Sequence, residues 1–212
     1  MRLSAEFGSG WKVLFAAFIG NALSAGTLAV HSLGILGPAL GRDFHWSAGI
    51  VTGGFLVLSL ATVATAPLGG FFADRFGVRS VALISTLLLA PAYMAFSFLS
   101  ASIPAYFCLW LVVALMGAGT LPVTWLRALN NHFQLNKGLA LGIALLGTGL
   151  SGALLKPFTF WLLDHGGWRA GYVGLGALSL ISFIVAYLFF STFRRRPAPL
   201  APSCHLRVFK PA

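Results

Sequence analysis

Residues 69–79 read Gly69-Gly70-Phe71-Phe72-Ala73-Asp74-Arg75-Phe76-Gly77-Val78-Arg79. The stretch closes one long apolar run and opens another, so Asp74 falls where a helix ends and a loop begins. Gly77 permits a tight turn with positive φ. Arg75 and Arg79 are interfacial anchors and candidate partners for Asp74. Gly70, one helical turn before Asp74, leaves room for a second helix to approach closely. The stretch therefore reads as a short charged latch between two packed apolar helices.

The rest of the chain fits that setting. Charged residues make up 8% of the 212-residue sequence, against about 25% in a soluble domain. The hydrophobic fraction is 58%, and the mean hydropathy is +0.89. That excludes a soluble globule, which would lack polar residues to cover its surface, and it excludes disorder. The net charge of +10 does not indicate nucleic acid, because the basic residues punctuate apolar runs rather than forming one face. Cys108 lies in an apolar run and Cys204 in a polar one, so no disulfide is expected. No cofactor and no metal site is expected.

The apolar runs are Trp11–Leu36, Ile50–Phe72, Val78–Leu99, Pro104–Leu129, Leu139–Leu163 and Tyr172–Phe193. None alternates like a barrel strand, and each suits a span of about 20 residues. The expected fold is all-α, a polytopic membrane protein with six transmembrane helices and short connections. With the N-terminus in the cytoplasm, Arg2, Lys12, Arg75, Arg79, Lys137, Arg194, Arg195, Arg196, Arg207 and Lys210 all fall inside, whereas Arg42 and Arg169 face out. Both termini are therefore expected to be cytoplasmic. From Arg194 the composition turns basic and proline-rich. The expected division is a membrane domain over 1–193 and a disordered cytoplasmic tail over 194–212, resting on anionic lipid.

The 69–79 stretch resembles the loop motif of the major facilitator superfamily, Gly-x-x-x-Asp-Arg-x-Gly-x-x-Arg. Gly70, Asp74, Arg75 and Gly77 match in register, while Arg79 stands one place early and Ser80 occupies the final basic position. The stretch Asn131-His132-Phe133 followed by Lys137-Gly138-Leu139-Ala140-Leu141-Gly142, with Gly147, Gly149 and Gly152, resembles the junction of helices four and five in members related to monocarboxylate and oxalate/formate carriers. Asp164-His165-Gly166-Gly167-Trp168-Arg169 resembles those members too. The resemblance implies a secondary transporter working by alternating access, with Gly70, Asp74, Arg75, Gly77 and Arg79 as its gating motif. It also implies a bacterial inner membrane or plasma membrane location. Asp74-x-x-Gly77-x-Arg79 and Asp164-x-x-Gly167-x-Arg169 share a pattern on opposite sides of the membrane, as two inverted three-helix repeats would place them.

The four acidic residues, Glu6, Asp43, Asp74 and Asp164, all sit at or beyond the membrane edges. Arg127 and Lys156 fall inside spans, where a charge is costly and functional by default. Arg127 is also within snorkelling reach of the surface. Pro157 after Lys156 frees a backbone carbonyl beside it. Asn21 and His31 in the first span offer hydrogen bonds to a substrate or to another helix. Asn21, His31, Arg127 and Lys156 are the cavity candidates, and cations without carboxylates favour a small organic anion such as a carboxylate. The partners expected are the lipid bilayer, that substrate, and a second six-helix half or a second copy, because carriers of this family normally have two halves. A truncated or non-transporting membrane subunit is the other reading. Gly149-Leu150-Ser151-Gly152 superficially fits an intramembrane protease, but span six has no histidine to serve as its base, so no enzyme is expected.

Overall fold

The computed structural model describes residues 2–130, 132–133 and 136–190. The expected tail over 194–212 lies outside the described residues, and with it all of the Arg194–Arg196 cluster that argued for a cytoplasmic C-terminus. The described residues form helices and no strand: α1 (Arg2–Ala22), α2 (Ala25–Phe44), α3 (Ala48–Phe76), α4 (Val78–Met94), α5 (Ile103–Met116), α6 (Pro122–Asn130) and α7 (Lys137–Phe190). A 3₁₀ turn over Ala95–Phe98 extends α4, and another over Gly117–Thr120 joins α5 to α6.

Five helical stretches are long and apolar enough to cross a membrane: Gly10–Phe44, Ala48–Phe76, Val78–Phe98, Ile103–Asn130 and Lys137–Phe189. The sequence reading expects six. The difference lies in α7, which holds the fifth and sixth apolar runs in one helical stretch interrupted at Gly167, where φ is 71° and ψ is −175°. The segment around Gly166 and Gly167 is too short to leave the helix for a loop, so the turn is made by glycine geometry alone. The two arms fold against each other, and the side chains of Leu162 and Phe158 occupy the space where a Cβ on Gly174 would stand.

The first run departs from expectation in the other direction. It is two helices, broken at Leu23 and Ser24 and continuing to Phe44. The fourth span is broken as well, at Gly117–Thr120. The two breaks satisfy each other, which a break within a bilayer requires. Thr120 Oγ1 accepts from the free backbone N–H of Ala25 at 3.2 Å and donates to the Gly117 carbonyl at 2.7 Å. Tyr93 donates its hydroxyl to the Ala25 carbonyl at 2.7 Å. Trp125 donates Nε1 to the Thr120 carbonyl at 3.2 Å, and its ring fills the notch left by Gly20.

Packing falls into two apolar clusters. One is aromatic and joins α2, α4, α5 and the second arm of α7 through Tyr93, Phe96, Tyr106, Trp110 and Tyr172. Phe96 and Tyr172 stack at 4.5 Å with rings 12° from parallel. The other joins α1, α6 and both arms of α7 through Val13, Leu14, Trp125, Leu129, Ala144 and Ala186. Large apolar side chains such as Leu60, Val63, Phe71, Leu146, Leu154 and Leu188 stay exposed on the outside of the bundle, which is the surface a bilayer covers.

Candidate functional site

The helix breaks border a cavity of about 290 Å³ lined by Ser24, Thr27, His31, Leu121, Pro122 and Thr148, among others. Ser24 and Pro122 mark the N-termini of α2 and α6, so two positive helix-dipole ends lie at this space. The Ser24 and Thr27 hydroxyls lie 2.8 Å apart, and Thr27 also donates to the Asn21 carbonyl at 3.1 Å. His31 is half-buried, and its ring packs where a Cβ on Gly152 would stand.

The other cavity candidates fall in different places. Asn21 is fully buried beside the α1 break and donates Nδ2 to the Ala144 carbonyl at 3.3 Å. Its Oδ1 has no hydrogen-bond partner among the described residues. Lys156 is exposed and lies on the α7 stripe that carries Thr148 and Gly152. Arg127 does not reach the cavity; its Nη1 meets Asp74 Oδ1 at 3.1 Å. The pair ties α6 to the end of α3.

The 70–79 motif accordingly has a partner that the sequence did not pair with it. Gly77 has φ 87° and ψ 140° and joins α3 directly to α4. Arg75 turns away from Asp74 and lies over the Phe76 ring, 5.8 Å from its centroid. Arg79 is half-buried, and no ion pair forms between it and Asp74. The close approach expected at Gly70 occurs one residue earlier. A Cβ on Gly70 would meet open space, whereas one on Gly69 would stand 2.9 Å from the Ala118 carbonyl oxygen. Gly70 therefore leaves a shallow surface, and Gly69 seats the α5–α6 turn.

A second charged contact occupies the opposite end of α3, where α2 ends. Trp168 Nε1 donates to Asp43 Oδ2 at 2.8 Å, and Arg169 Nη1 lies 3.7 Å from the same oxygen. The Arg169 guanidinium covers the Trp168 ring at 4.2 Å. Trp168 is 6% exposed, so it is a core residue with a polar handle. Gly77 and Gly167 are the two glycines with positive φ among the described residues, and they occupy the same place in the repeated sequence pattern.

Of the glycines flanking α7, Gly147 faces the Phe18 backbone and Gly152 faces His31, while Gly138, Gly142 and Gly149 face open space.

Comparison with known proteins agrees with this arrangement. The Major Facilitator Superfamily profile matches residues 13–205. Monocarboxylate transporter 11 of Homo sapiens is 36% identical over 174 residues, 82% of this chain and 36% of that protein. Monocarboxylate transporter 13 of Bos taurus is 30% identical over 173 residues, covering 82% and 40%. Monocarboxylate transporter 4 of Rattus norvegicus is 30% identical over 183 residues, covering 85% and 38%. The chain thus spans well under half the length of these curated relatives. With its apolar helices and the profile match over most of its length, the chain belongs to the major facilitator superfamily and is a multi-pass membrane protein.

Proposed function

We propose that the chain is one six-helix half of an alternating-access carrier for a small organic anion such as a carboxylate. The observation that carries this reading is the cavity at Ser24, Thr27, His31 and Thr148, set between the N-termini of two broken helices. Helix N-termini favour negative charge, and in carriers discontinuous helices aim them at anionic groups. Asp43 and Asp74 lie near the ends of α2 and α3 and Asp164 just before the Gly167 break, and none of them lines this space. The relatives are monocarboxylate transporters by name.

In this reading the break at Gly167 separates spans five and six. The Gly77 and Gly167 turns mark two inverted three-helix units, and residues 1–193 form the membrane domain. The 194–212 tail and both termini lie in the cytoplasm of a cell whose plasma membrane holds the carrier. The Gly70–Arg79 motif holds the cytoplasmic end through Asp74, and His31 serves the cavity directly, with Asn21 buried at the α1 break beside it and Lys156 about two turns along α7 from Thr148. A second six-helix half or a second copy completes the path.

Labelling of Thr27→Cys, in a chain with Cys108→Ser and Cys204→Ser, tests the cavity. A water-soluble maleimide should react there, and benzoate should slow the reaction while neutral benzamide does not. Equal labelling with both would remove the anion site. In the other reading, a non-transporting membrane subunit, neither compound protects.

A further inference from the structure

The exposed face of α2 carries a second space away from the helix breaks. Gly26, Val30, Gly34, Pro38 and Arg42 recur at every fourth position and are all exposed. Gly26 and Val30 belong to the cavity described above. Farther along the same stripe, a groove of about 400 Å³ runs between α2 and the start of α3, lined by Leu33, Gly34, Pro38, Arg42, Trp46 and Val51 among others. Its floor is apolar. The Thr52 hydroxyl on its wall is already donated to the Ala48 carbonyl at 2.8 Å. The single charge at its mouth is Arg42, which has no ion pair or hydrogen bond among the described residues. The neighbouring carboxylate, Asp43, is taken by Trp168 and Arg169 on the far side.

We propose that this groove is an entry subsite for an amphipathic monocarboxylate, whose carboxylate pairs with Arg42 and whose aromatic or branched body lies on Gly34, Trp46 and Val51. A guanidinium is suited to bidentate carboxylate recognition, and the apolar floor offers nothing to a second charge. On the same stripe, Gly34 of the groove stands one helical turn from Val30 of the first cavity, so the two spaces lie along one face of α2. The inference rests on the anion-carrier reading above.

Isothermal titration of the chain in phosphatidylcholine nanodiscs with phenylacetate and acetate tests it. Phenylacetate should bind about ten-fold more tightly than acetate, and Arg42→Gln should weaken phenylacetate by about ten-fold or more. Gly34→Leu, whose side chain enters open space, should abolish the phenylacetate advantage at an unchanged melting temperature. If both variants bind phenylacetate like the parent while benzoate still protects Thr27→Cys, the groove proposal falls and the anion carrier stands. If Arg42→Gln alters only phosphatidylglycerol retention in mixed nanodiscs, the groove holds lipid and the proposal is overturned. If no carboxylate binds and none protects, both readings fail together.

Discussion

Arg127 on α6 reaches Asp74 at the end of α3, with 3.1 Å between Nη1 and Oδ1, across a gap of 53 residues in sequence. Both side chains are substantially exposed, 43% for Arg127 and 74% for Asp74. Exposed ion pairs contribute only about 0.2–1 kcal/mol, so this contact is suited to opening and closing rather than to holding the fold. Asp74→Asn and Arg127→Gln should each shift the melting temperature little. A double-mutant cycle should give coupling within that range, falling at high salt. Coupling well above it, insensitive to salt, would mark the pair as structural.

The contact at Asp43 should behave differently, because its donor is buried. Trp168→Phe leaves Asp43 with Arg169 alone and should cost about 1–2 kcal/mol through the lost hydrogen bond. Trp168→Ala also empties a core site and should cost about 3–5 kcal/mol. Thermal unfolding in detergent measures both, and equal losses would contradict the separate polar contribution.

The mutual support of the two helix breaks predicts that Thr120→Val is destabilising. It leaves the Ala25 N–H unpaired at about 1–3 kcal/mol, whereas Thr120→Ser keeps the hydroxyl and should cost far less. Thermal unfolding of the two variants in detergent is the check, and equal losses would contradict the role of the hydroxyl.

Gly147→Ala and Gly142→Ala test the packing of α7 on α1. A Cβ at 147 would stand 2.5 Å from the Phe18 carbonyl oxygen, and one at 142 meets nothing within 4 Å. The first substitution should cost about 1–3 kcal/mol by overpacking, and the second should be neutral or stabilising by up to about 1 kcal/mol through helix propensity. Comparison of the two melting temperatures is the check.

Much of the fold is legible along the chain because the signals are local. The apolar runs, Gly77 and Gly167 announce helices and turns by composition and backbone freedom. What the sequence hides is set by neighbours. The break at Leu23 and Ser24 lies inside an unbroken apolar run, and it exists because Thr120, far away in sequence, supplies its hydrogen bond. Gly69 and Gly70 are indistinguishable in a pattern, and only the position of Ala118 separates them. Asp74 and Arg127 are each conspicuous as charges in apolar surroundings, but their pairing is a tertiary fact. The shared placement of His31, Thr27 and Thr148 around one cavity is likewise invisible until α2, α6 and α7 are packed.

The central claim is that this chain contributes a transport path for an anion. Counterflow in proteoliposomes tests it most directly: vesicles holding the chain are loaded with unlabelled benzoate and diluted into labelled benzoate. The account predicts transient, saturable accumulation of label, lost when Lys156→Gln is combined with Thr27→Trp, which fills the cavity, and unaffected by a neutral analogue. Accumulation no greater than in empty vesicles, by the chain alone and when co-reconstituted with a second six-helix half, would contradict it.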